Sequence, residues 1–216
     1  MMPRVVIVVL AFVTVMSTRG EGQEVFHSVH SANLPTAEIL PRSSWLFEVS
    51  HRFALPVSDG ASALWGVDGP ARIRLGLTYS LSDRVALGVL RTNYEDNVEL
   101  NAKVGLLQAG GEALPVKLAA MAGVAWNTEV FEDPSTGAED NEVQLYAQVI
   151  ANALVGGRVA LGVVPAYLRN PSLADFEAED AFVLGLNGQW YLAPSASLLA
   201  EWVVSEERDG REHDSG

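Results

Sequence analysis

Ten polar residues stand on alternate positions within otherwise apolar stretches: Glu48, Arg52, Arg72, Arg74, Glu99, Lys103, Lys117, Gln144, Gln148 and Glu201. Gathered on one surface, charges of both signs could line a water-filled path and select ions. They could equally pair with one another and fill a narrow interior. Four histidines, His27, His30, His51 and His213, are the other groups suited to chemistry. Acyl hydrolysis needs a serine or a carboxylate within hydrogen-bond reach of an imidazole. Ser50 and His51 are chain neighbours in an alternating stretch, so their side chains point to opposite faces and do not form that pair. His51 then faces outward near a rim. His27 and His30 could hold a metal only with a further ligand. No G-x-S-x-G, H-E-x-x-H, P-loop or dinucleotide motif occurs, so no enzyme, cofactor or metal centre is expected.

The elements that must position these residues follow from a period of two. In residues 71–80, Ala71, Ile73, Leu75, Leu77 and Tyr79 alternate with Arg72, Arg74, Gly76, Thr78 and Ser80. A strand sends successive side chains to opposite faces, so this stretch has one apolar and one polar face. The same pattern predicts nine strands, at 44–53, 71–80, 84–92, 98–108, 116–127, 143–155, 158–168, 181–192 and 196–205. Most approach the roughly 9–11 residues that a tilted strand needs to cross a bilayer. Pro165 is the exception to the pattern, and it predicts a bulge or a strand end nearby.

Link lengths sort the strand ends into two sets. Residues 81–83, 156–157 and 193–195 are tight connections, whereas 54–70, 128–142 and 169–180 are long. Residues 93–97 and 109–115 are the one pair out of proportion. Membrane barrels have short turns on the periplasmic side and longer loops outside, whereas a soluble sandwich has no reason for such sorting. Ahead of the strands, Arg4 and the apolar run 5–16, followed by small and polar residues to Gly22, read as a secretory signal. The run is too short for a spanning helix of about 20 residues. Residues 23–43 are then a periplasmic lead-in. Asn33 to Thr36 and Glu38 within it are expected to cap the inner end of the barrel, with a plug as the alternative.

The chain has 216 residues, no cysteine and a net charge of −13. It therefore has no disulfide or thiolate site and is a poor partner for nucleic acid. Its acidic clusters, Glu129 to Glu142 and Asp175 to Asp180, read as solvated loops. Trp65 lies in an unusually apolar loop that could dip into the interface or fold over the mouth. Trp45, Phe53, Tyr79, Trp126, Tyr167, Trp190 and Trp202 suit interfacial girdles. A secreted soluble barrel or sandwich that binds a small ligand inside would show the same alternation with the opposite sidedness.

Two stretches carry a resemblance: 32–41, ANLPTAEILP, and 47–53, FEVSHRF. With Leu64-Trp65-Gly66-Val67-Asp68-Gly69 and the strand 71–80 with its turn 81–84, they resemble a family of uncharacterised predicted outer-membrane β-barrel proteins. The resemblance implies a barrel and an address in the outer membrane of a Gram-negative bacterium, with no known activity and no catalytic residue. The resemblance also implies a longer chain, since members of that family are usually longer than this one. Nine strands are an odd number where bacterial barrels have even ones, so the chain reads as C-terminally truncated, with 206–216 an external loop. The expected molecule is an all-β, antiparallel up-and-down transmembrane barrel over residues 44–205. It meets outer-membrane lipid, is inserted by the barrel-assembly machinery, and serves as a passive porin-like channel for small solutes or as a structural element.

Overall fold

The computed structural model describes residues 7–12, 24–53, 60–62, 64, 70–93, 97–111, 114–128, 143–170 and 180–207. Among these residues ten strands form one sheet: β1 (Ile7–Phe12), β2 (Trp45–Phe53), β3 (Ala71–Ser82), β4 (Val85–Thr92), β5 (Val98–Ala109), β6 (Val116–Trp126), β7 (Val143–Val155), β8 (Val159–Arg169), β9 (Asp180–Ala193) and β10 (Ala196–Glu207). From β2 to β10 each strand pairs antiparallel with the next, the up-and-down meander that the alternation predicts. Ile7–Phe12, within the apolar run read as a signal, lies antiparallel along β10. Among the described residues no ladder joins β1 to β2.

Local chemistry explains the tight turns. Gly156 and Gly157 have φ of 58° and 66°, and Arg158 N–H donates to Val155 O at 3.1 Å. Two consecutive left-handed residues make the turn whose twist matches a hairpin, and glycine adopts it without steric cost. Pro165 causes neither a strand end nor a bulge. It lies inside β8 and pairs with Leu184 of β9, while the β7–β8 ladder skips from Gln148↔Ala166 to Ala151↔Val163 without a change of register. The missing N–H interrupts pairing on the β7 side alone. Register shifts fall instead at Ser80/Ser82, Gly105/Leu107 and Ala196/Ser197, all toward the short-turn end. Bulges are common at barrel rims, where they bend a strand and end its pairing.

The sidedness is apolar outward. Trp45, Phe47 and Val49 of β2 are more than 60% exposed. Leu75 and Leu77 of β3, Leu87 and Val89 of β4, Leu161 and Val163 of β8, and Phe182 and Leu184 of β9 are exposed on the same surface. Patches of more than a few hundred Å² are rare on soluble monomers and mark a surface that meets lipid or protein. A soluble ligand-binding barrel needs the reverse arrangement, with its apolar side chains inside. Trp45 and Tyr79 pack at 4.3 Å near the short turns, and Tyr167 and Phe182 at 5.1 Å near the long loops. Trp202 departs from the girdle pattern, lying midway along β10 opposite Leu186.

Candidate functional site

The inward face of the sheet is covered by the lead-in. Residues 24–41 fold back along it as a hairpin, with His30 bridging to Pro35, Ser31 N–H donating to Leu34 O at 2.9 Å and Thr36 N–H to Val29 O at 3.0 Å. This segment goes beyond capping the inner end: its tip reaches the middle of β9 and β10. Leu34 rests over Gly185, where an added Cβ would stand 2.6 Å from the leucine methyl. Gly185 therefore leaves the space that the hairpin tip occupies.

Three charged side chains organise the hairpin. Lys103 of β5 donates from Nζ to the carbonyls of Val29, Thr36 and Glu38 at 3.1, 3.1 and 3.0 Å. The Glu201 carboxylate of β10 accepts from Asn33 N at 2.9 Å, Asn33 Nδ2 at 2.8 Å, Leu34 N at 3.1 Å and the Ser31 hydroxyl. Glu38, within the hairpin, accepts from Val25 N at 2.8 Å and from Lys117 Nζ of β6 at 2.5 Å. Lys103 and Glu201 are only 4% and 5% exposed. Burying a charge is costly unless its hydrogen-bonding capacity is met, and the hairpin meets it.

Apolar packing completes the fit. Val25 and Phe26 are fully buried against Leu154, Ala160 and Tyr191, and Ala37 packs with Ala119, Met121, Ile150 and Val164. Burial of a side chain such as Phe26 contributes roughly 1.5–3 kcal/mol. Tyr191 donates to Val25 O at 2.7 Å and stacks on His27 at 4.2 Å. Ala37 N–H donates to Asn152 Oδ1 at 2.5 Å, and Asn187 Nδ2 donates to Ser31 Oγ at 3.0 Å.

The hairpin also shows how far the sheet curls. His30 Nδ1 lies 3.1 Å from Glu48 Oε2 of β2, while its neighbour Ser31 contacts Glu201 of β10. Adjacent Cα atoms are only about 3.8 Å apart. The first and last strands of the meander therefore come round to the same two residues, and the hairpin spans the gap between them.

The other expected site residues lie toward the long-loop end of that face. Glu99 accepts from Tyr146 OH at 2.5 Å and from Asn101 Nδ2 at 2.9 Å. Gln144 Oε1 accepts from Asn97 Nδ2 at 3.2 Å. Gln148 stands opposite Met121 in the β6–β7 ladder. Arg74 is half-buried and Arg72 exposed. Arg52 is the register partner of Arg72, and its side chain lies outside the described residues. Also outside them are Trp65, the acidic residues 129–142 and 175–179, and His213 in the tail 208–216. His51 is exposed and meets Phe53 edge-on at 4.8 Å. Sequence reasoning passed over the hairpin's buried residues Val25, Phe26, Val29 and Ala37. The available signal was the imbalance on the polar face, where Arg52, Arg72, Arg74, Lys103 and Lys117 outnumber the strand carboxylates Glu48, Glu99 and Glu201.

Burial holds the His30 imidazole below its ordinary pKa of 6.5, and the Glu48 carboxylate offsets this only in part. A histidine whose pKa falls on folding takes up fewer protons than the unfolded chain, so docking is strongest above pH 6.5 and weakens as pH drops. Amide exchange of Ser31 and Thr36 is therefore expected to accelerate from pH 7 to pH 5 beyond the intrinsic pH effect. His30→Gln should remove that excess; an unchanged pH response would count against the assignment.

A family model described as "Membrane bound beta barrel domain (DUF5777)" matches residues 26–215. Comparison with the curated proteins and with the solved structures finds no match.

Proposed function

Because the chain belongs to this family of membrane-bound β-barrel domains, we propose that it is a structural outer-membrane barrel whose lumen is closed by its own N-terminal hairpin. The observation that carries this reading is the placement of residues 24–41 on the polar face, where Lys103, Lys117 and Glu201 are all engaged by the hairpin. The polar face is then the lumen, and a porin-like path for small solutes exists only when the hairpin leaves it. The outward apolar face meets outer-membrane lipid, and insertion falls to the barrel-assembly machinery.

In this reading residues 1–22 direct export and are removed. Their loss withdraws β1 and leaves the hairpin, through Glu48 and Glu201, to hold β2 and β10 together. No reaction is assigned: Glu38 and Glu201 accept from main-chain amides and side chains of the chain itself.

Planar-bilayer recording tests the proposal. The intact protein is expected to leave the bilayer silent, and deletion of residues 24–41 to produce discrete ionic currents. Steady conductance by the intact protein would overturn the closed-lumen reading.

A further inference from the structure

At the short-turn end of β2 and β3 two arginines stand on a main chain pinned to the sheet. A turn closed by Ser44 N–H to Pro41 O at 3.1 Å presents Arg42. Beyond Trp45 the β2–β3 contact continues: Ser80 N–H donates to Ser44 O at 3.0 Å, Ser43 N–H to Ser80 O at 2.8 Å and Arg42 N–H to Asp83 Oδ1 at 2.8 Å. Arg84, next after Asp83, donates its amide to Ser82 Oγ at 3.3 Å, and its carbonyl accepts from Gly105 N–H of β5 at 2.8 Å. Both arginine side chains are exposed. Beside them lies the stacked pair Trp45 and Tyr79, and exposed Phe47 and Leu77 continue the same apolar surface. Arg42 is three residues before Trp45. That is at most about 10 Å of chain, or about 7 Å along the membrane normal for a strand tilted near 45°. The headgroup layer adds about 5–7 Å on each side of the hydrocarbon, and interfacial tryptophans sit at its inner boundary. The arginines therefore reach the depth of the headgroup phosphates.

From this juxtaposition we infer that Arg42 and Arg84, with the Trp45–Tyr79 pair, form a site for the headgroup of an anionic phospholipid in the leaflet on the short-turn side. A guanidinium fork matches two phosphate oxygens in a bidentate contact, the tryptophan ring lies at the glycerol level, and the acyl chains run along Phe47 and Leu77. Charge favours the anionic lipid. The turn 81–84 carries one carboxylate, Asp83, against the two arginines, and one of its oxygens already holds the Arg42 amide. The surplus positive charge balances a phosphodiester, whereas a zwitterionic headgroup brings a cation of its own. The carboxylates of the links 128–142 and 169–180 join strands at the other end of the sheet, so the attraction is confined to one leaflet. This site rests on the reading of the outward face as lipid-facing.

Native mass spectrometry of the intact protein in a neutral detergent, titrated with dioleoylphosphatidylglycerol or with dioleoylphosphatidylcholine, is the test. The first phosphatidylglycerol is expected to bind about ten- to thirtyfold tighter than phosphatidylcholine, since each basic residue at an anionic lipid surface contributes roughly a factor of five. Arg42→Gln/Arg84→Gln should bring the two lipids to within about threefold of each other. Trp45→Ala should weaken both alike, and Arg158→Gln, in the turn between β7 and β8, should leave the preference unchanged. Equal affinity for the two lipids, a preference kept in the double variant, or an equal loss in Arg158→Gln would overturn the site. Failure to bind either lipid, with the protein staying out of phosphatidylcholine vesicles, would overturn the lipid-facing reading itself and the site with it. Heat-modifiable gel migration checks that each variant is folded. Should the double variant fail that check, Arg84→Gln alone should lose about fivefold of the preference.

Discussion

Lys103→Met is expected to undock residues 29–38, weakening the hairpin's hold on the sheet by about 3–5 kcal/mol. Methionine fills a similar volume but donates nothing. Three main-chain carbonyls, those of Val29, Thr36 and Glu38, would lose the ammonium that they now share. Each buried acceptor left without a partner costs on the order of 1–3 kcal/mol, although three around one site do not add in full. The strands keep their own ladder bonds, so the loss should be local. Hydrogen exchange read residue by residue is the measurement: protection of Ser31 and Thr36, whose amides are bonded within the hairpin, should collapse while that of Ala120 and Leu186 persists. Unchanged protection at Ser31 and Thr36 would show that Lys103 does not hold the segment.

The second large effect is expected at the hairpin tip. Glu201→Ala removes the acceptor for Asn33 N, Leu34 N, Asn33 Nδ2 and the Ser31 hydroxyl in one step. Charge-assisted bonds of this kind contribute about 1.5–3 kcal/mol each. We expect a loss of about 3 kcal/mol in docking, with only part of it recovered by Glu201→Gln. The amide side chain keeps one acceptor oxygen and turns an N–H₂ toward donors.

The double variant Lys103→Met/Glu201→Ala is the more discriminating experiment. Both side chains hold the same hairpin, so once it is released by one change the other has little left to break. The two losses should be clearly less than additive, by 1 kcal/mol or more in an exchange-based cycle. Strict additivity would mean that the two residues stabilise separate parts of the protein, and would remove the hairpin as a single unit from the account.

The strands are the part of this protein that was legible from the chain alone. Residues 143–155 were expected as a strand and form β7, and the other expected strands of the meander differ from β2–β10 by at most two residues at an end. Side-chain alternation is a local property, set by the backbone of each residue and its immediate neighbours, and the apolar-out sidedness required by lipid writes itself into every second position. The tight turn at Gly156-Gly157 was legible for the same reason. Pro165 misled because its consequence depends on which edge of β8 its missing N–H faces, and that edge is decided by pairing with β7 and β9.

The destination of residues 24–41 was decided by the tertiary structure. Its defining contacts join residues far apart in the chain, 65 positions between Glu38 and Lys103 and 170 between Ser31 and Glu201. The segment has no period of two or of 3.6 to announce a buried role, and its buried positions are fixed only by what faces them. A lysine on the inner face of a strand reads from sequence as a lumenal charge awaiting solvent or solute. What makes Lys103 an anchor is the set of three carbonyls brought to it by a hairpin formed elsewhere in the chain. The polar face was thus determined by the sequence, and the fact that it is occupied by the chain itself was determined by the fold, because a buried charge must find its partners wherever the curved sheet brings them.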